Sequence, residues 1–122
     1  MKNISLNKFE DLKRNRLIKK LRSNAIAIKT NQIEIHLGCN KMEYLKNRID
    51  DINVLDEIDL NIFIKFNNAV RFYPIGEDRN EYNKEYLKKL DLELKTIDNQ
   101  YLEKIFKQCD EIINQFQNIN SV

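Results

Sequence analysis

Residues 80–119 read NEYNKEYLKKLDLELKTIDNQYLEKIFKQCDEIINQFQNI, and the stretch contains neither glycine nor proline. Leu87, Leu90, Leu94, Ile97 and Tyr101 recur at alternating spacings of three and four. Leu102, Ile105, Cys109, Ile112, Phe116 and Ile119 continue the stripe after a small shift of phase. That period is the period of an α-helix with one apolar face. At 1.5 Å per residue a helix from Asn80 to Ile119 spans on the order of 55 Å. An element of this length sets the scale of everything packed against it.

The whole chain holds two glycines and one proline in 122 residues, too few turn formers for an all-β domain. A first helix is expected from Ser5 or Asn7 to about Asn31, with Ile18, Leu21, Ala25, Ile28, Gln32 and Ile35 as its seam. Leu17 widens that face, and Phe9 and Leu12 extend it. Ile33 to Leu37 alternates like a strand but has no partner strand, so it reads as a frayed helix end or a connection. Gly38 is expected to cap or turn the chain. A shorter second helix carries Met42, Leu45, Ile49 and Ile52 and ends at 50–53. Asp56 is the expected N-cap of a third helix, with Asp59 in its first turn. The third face is Ile58, Ile62, Phe66, Ala69 and Tyr73, broadened by Phe63 and Val70. Pro74 stops that helix, and Ile75 to Asp78 form the next turn.

The pattern predicts one all-α domain over 1–122, with 1–7 and 120–122 as flexible ends. Its architecture is an antiparallel four-helix bundle whose long first and last helices form a stalk. The balance of 42% apolar and 33% charged residues argues against a disordered chain and against a membrane protein. The start, Met1 to Lys8, shows no apolar leader, and two cysteines are too few for a disulfide framework. A cytoplasmic location is the expectation. Charge is uneven: Lys2, Lys8, Lys13, Arg14, Arg16, Lys19, Lys20 and Arg22 face only Glu10 and Asp11 within the first 22 residues. That arm is strongly basic in a chain whose net charge is +2.

Two ends follow from the bundle. At the stalk, Phe9, Leu12, Ile112 and Phe116 are expected to be incompletely buried and to contact a second copy or another protein. At the turn end the connections gather Gln32, Glu34, His36, Arg71, Tyr73 and Arg79, with Glu77 and Asp78 beside them. This polar cluster is the place for any small site, and it also suits the capping of helix ends.

The order of Gln32-Ile33-Glu34, Gly38-Cys39, Pro74, Arg79 and Leu90-Asp91-Leu92-Glu93 resembles a bacterial domain of unknown function, number 2489, over residues 16 to 115. The resemblance implies a helical cytoplasmic domain, one usually tethered by an N-terminal membrane helix, and no known activity. Here a short basic arm stands where the tether would be. Leu37 occupies a position that is usually acidic, and Lys41 alone matches the basic residue after the glycine.

His36 is the single histidine, so a multi-histidine metal site is excluded and one imidazole is left as a candidate base. Cys109 lies on the seam of the last helix and reads as core, and no glycine-rich phosphate loop is present. No cofactor and no small-molecule substrate is expected. The basic amphipathic face of Lys13, Arg14, Arg16, Lys19, Lys20 and Arg22 suits phosphates of a nucleic acid and, more weakly, an anionic membrane surface. The expectation is a non-catalytic helical protein–protein interaction or scaffolding module. The alternative is a helical protein that binds nucleic acid through its first helix.

Overall fold

The computed structural model describes residues 7–119. Among them the chain is all helical, with four α-helices, one 3-10 helix and no strand. The expected flexible ends lie outside the described residues, except Asn7, which belongs to the first helix as its cap.

Helix α1 spans Lys8–Lys29. The Asn7 side chain accepts from the Glu10 amide at 2.8 Å, and the Glu10 carboxylate accepts from the Asn7 amide, a reciprocal cap on two otherwise unpaired donors. Leu17, Ile18, Leu21, Ala25 and Ile28 are buried along one stripe. The helix ends where Asn31 turns left-handed at φ 60°, while the Gln32 amide reaches back to the Ala27 carbonyl at 2.8 Å and the Asn31 amide to Ile28. Asparagine tolerates that conformation better than other non-glycine residues, so Asn31 provides the turn that was expected at Gly38.

Helix α2 accordingly begins earlier, at Ile35, and runs to Ile52. Gly38 lies inside it. A Cβ there would stand 2.6 Å from Ile28 Cγ1, so the glycine lets α1 and α2 approach closely. The same contact is fastened by amides: Asn24 of α1 donates to the Gly38 carbonyl at 2.9 Å. From the other side Asn67 donates to the Cys39 carbonyl at 3.0 Å and to Glu43 at 2.8 Å. Met42, Leu45 and Ile49 are buried and Ile52 is partly so.

Helix α3 spans Asn61–Val70, later than expected. Asp56 does not cap it. The cap position is Leu60, and Asp59 accepts from the Asn61 amide at 2.8 Å from outside the helix. Residues 53–60 bring Leu55 and Leu60 into the core, which delays the helix. Its buried face is Phe63, Phe66, Asn67 and Val70, and Tyr73 falls beyond its end.

After buried Pro74, Gly76 (φ 62°) opens a 3-10 helix, Gly76–Glu81. Helix α4, Lys84–Gln115, starts on an Asn83 side chain that accepts from the Tyr86 amide at 2.7 Å. Its 32 residues make a helix of about 48 Å. Helix α1 packs on α2 and α4, and α3 packs on the same two.

The expected stalk is at the other end of the molecule. Ile112 and Phe116 are core residues, at 0% and 5% exposure, and Leu12 is half-buried, which leaves only Phe9 exposed. Leu55 and Leu60 close that end. The buried residues of α4 are Ile105, Cys109 and Ile112, and none is buried from Lys84 to Lys104. Leu94, Ile97 and Tyr101 are half-buried against the core, so the part of α4 that overhangs is its first turns, Lys84 to Glu93.

Candidate functional site

The turn end is built around His36, in the first turn of α2. Glu34 caps this helix, accepting from the His36 and Leu37 amides at 3.0 and 3.2 Å, and its carboxylate also meets His36 Nδ1. On the far side of the ring, Nε2 lies 2.8 Å from Asp98 of α4. The ring stacks on Phe66 with 5.5 Å between centroids, and Phe66 in turn meets Tyr101. Both ring nitrogens are thus engaged by carboxylates. The arrangement ties the α1–α2 turn to α4.

The remaining residues of the expected cluster do not converge on His36. Tyr73 donates to Glu93 at 3.1 Å, and Arg79 forms a two-pronged pair with Asp91 at 2.8 and 2.9 Å. Burial and the Glu93 carboxylate push the Tyr73 hydroxyl above its usual pKa in that order. Arg79 holds the Asp91 carboxyl below the usual carboxylate range through its hydrogen bonds. Arg71 bonds Asn68 one turn back, and Gln32 is exposed. The acceptors Asp91, Glu93 and Asp98 and the stacking Phe66 were not foreseen as members of the cluster. Asp91 and Asp98, seven residues apart on one helix, are the signal that could have found them.

A hollow of about 340 Å³ adjoins the clamp, lined by Ile28, Ile33, Glu34, Asp98, Leu102 and Phe106 among others. Both cysteines are buried and free. Burial is the main cause that pushes the Cys39 thiol far above its ordinary value and Cys109 up to about 12, so neither supplies a thiolate to His36 at neutral pH. Among the described residues no three His, Cys, Asp or Glu side chains are grouped to hold a metal ion, and no helix is long and apolar enough to cross a membrane.

The expected basic face divides in two. Arg14 is buried: its Nε donates to the Asn53 carbonyl at 3.0 Å, Nη2 donates to the Val54 carbonyl at 3.2 Å, and the guanidinium grips Glu57. Arg22 donates to the Ile113 carbonyl at 3.0 Å in the last turn of α4. Both guanidinium groups serve carbonyls at or just beyond helix ends, which an amphipathic array cannot reveal. Lys13, Arg16, Lys19 and Lys20 stay exposed.

Among the described residues nine large apolar side chains are exposed, and five of them, Phe72, Ile75, Tyr82, Tyr86 and Leu92, fall between positions 72 and 92 of the chain. Tyr82 and Tyr86 stack on each other at 5.9 Å. With the Tyr73–Glu93 and Arg79–Asp91 bonds, they make residues 71–83 a strap along the first turns of α4.

No family model matches the chain, and neither a curated protein nor a solved structure matches it.

Proposed function

We propose that the chain is a non-catalytic helical interaction module, an antiparallel four-helix bundle that contacts a second copy of itself through the overhanging first turns of α4 and their strap. The observation that carries this reading is the exposure of Tyr82, Tyr86 and Leu92 on and beside the first turns of α4, where no residue from Lys84 to Glu93 is buried. Charge supports a second copy as the partner. Lys84, Lys88 and Lys89 precede Asp91 and Glu93, which also meet Arg79 and Tyr73 within the chain, so two arms laid antiparallel bring the lysines of one beside those carboxylates of the other. From Lys84 to Glu93 the arm extends about 15 Å. One face of that length covers a few hundred Å², below the roughly 800 Å² per partner of a stable complex, so the contact is reversible. The tied His36 and the protonated thiols favour a role without catalysis, and the buried free thiols suit a reducing, cytoplasmic setting.

Sedimentation across a wide concentration range tests the reading. A monomer–dimer equilibrium is expected, weakened by Tyr86→Glu and Leu92→Glu and unaffected by Phe9→Ser at the opposite end. A strict monomer at the highest attainable concentration would overturn it.

A further inference from the structure

Exposed cations without an ion pair among the described residues stand on several helices, Lys65, Lys84, Lys89, Lys95, Lys104 and Lys107 among them. Those of α1 and α2 differ in facing one another across a groove. Among the described residues Lys13, Arg16, Lys19, Lys20 and Lys41 are exposed and make no ion pair. Their placement follows from helix geometry. Lys13 and Lys20 are seven residues apart, two turns along one line of α1, and Leu17 between them lies on the side that meets α2. Lys41 and Arg48 repeat that spacing on α2. Lys13 and Arg48 line one shallow cavity with Leu17, Asp51 and Ile52, which joins the two lines across the α1–α2 groove. Asn24 on Gly38 and Ile28 against the same glycine hold the groove's other end. Cations thus stand at both walls, with Asp51 as the acidic neighbour at the Lys13 end. Tyr44 lies one turn from both Lys41 and Arg48. Its ring is 57% exposed, and Arg48 is held over it at 5.7 Å while donating to its hydroxyl at 2.9 Å.

We infer that the α1–α2 groove binds the backbone of a single-stranded nucleic acid, with a base stacked at Tyr44. This goes beyond the α4 arm and is independent of it. A line of unpaired cations supplies phosphate contacts by releasing counterions, and an exposed ring beside it receives a base face of any sequence. An acidic peptide would use the cations and have no need of the ring. A membrane would call for apolar side chains aimed outward along the groove, and the cavity there holds only Leu17 and Ile52, at its floor.

Fluorescence anisotropy with labelled mixed-sequence single-stranded RNA and DNA tests the inference, with polyglutamate and anionic phosphatidylserine vesicles as rival ligands. Binding is expected at low salt. Lys13→Gln with Lys20→Gln lowers the slope of log affinity against log salt by about 1.4, since each lost contact to a single strand removes about 0.7. Tyr44→Ala weakens binding roughly 5- to 100-fold and Tyr44→Phe preserves it, as stacking requires. Lys104→Gln with Lys107→Gln on α4 is the control and leaves both quantities unchanged. The inference is overturned by absence of binding at low salt, by equal effects of groove and control variants, by indifference to Tyr44→Ala, or by polyglutamate or vesicles binding as well as the oligonucleotides. Circular dichroism of each variant separates these results from loss of fold.

Discussion

Replacing Arg14 by alanine separates a clamp from a surface charge, because the sequence places this residue in a solvated basic face and the structure buries it. Its guanidinium donates to the carbonyls of Asn53 and Val54 and to both oxygens of Glu57, within 3.0 to 3.3 Å. Arg14→Ala leaves two carbonyls and a carboxylate without this partner. Breaking a buried pair costs about 3–5 kcal/mol, and the Glu57 side chain, 32% exposed, regains some water, so the lower figure of about 3 kcal/mol applies. Unfolding a chain of 122 residues carries an entropy of about 0.26 kcal/mol/K, so Tm falls by about 12 °C. Arg14→Lys recovers less than half of this, because an ammonium cannot reach three acceptors in the plane of a fork. Arg16→Ala, one turn-edge away and exposed, stays within about 0.5 kcal/mol. Thermal and urea melts followed by circular dichroism supply the numbers, and a double-mutant cycle with Glu57→Ala should show a coupling of at least about 1 kcal/mol. A drop below about 4 °C for Arg14→Ala, equivalent to about 1 kcal/mol, would refute the clamp.

Gly38→Ala gains about 1 kcal/mol of helix propensity but sets a Cβ 2.6 Å from Ile28 Cγ1, where overpacking costs about 1–3 kcal/mol. A net loss of about 1 kcal/mol is expected in a urea melt, and the same change made in an Ile28→Ala background should stabilise. Arg79 depresses the Asp91 pKa, so the pair's contribution is present above the carboxyl's unfolded value and is lost as pH falls through the lower folded one. Amides of 84–95 should therefore exchange faster at acid pH, after correction for intrinsic rates, and Asp91→Asn should abolish that dependence. Burial keeps both thiols protonated, with Cys109 pushed up to about 12, so labelling by a disulfide reagent at pH 8 should be slow in the native protein and prompt in urea. Rapid native labelling would contradict the burial of both thiols in the core.

Local signals in the sequence were readable where one segment determines the outcome. Asn7 is one of the two expected starts of α1, the glycine-free run marks α4, and the buried stripe of α1 follows its period. Readings failed where a distant partner decides. Gly38 looks like punctuation until Ile28 is seen lying against it. Arg14 and Arg22 look like surface cations, because the carbonyls they serve are 39 to 91 residues away in sequence. The stalk was placed at the wrong end because Leu55 and Leu60 sit in a short polar connection whose path no periodicity records. The turn-end cluster was seen by its members on the loops and missed by its acceptors on α4, among which Asp98 looks like any exposed helical carboxylate.

The change in burial along α4 has a consequence for how the molecule can vary. Near Glu93 the helix passes from a first part held by a strap of hydrogen bonds to a part packed on the core, where Leu94, Ile97 and Tyr101 are half-buried and Ile105, Cys109 and Ile112 buried. Whole turns can be added to or removed from the outer part, and its surface rewritten, at little thermodynamic expense to the inner one. The outer part is thus free to diverge toward whatever it meets, while the inner part is held by the packing of all four helices.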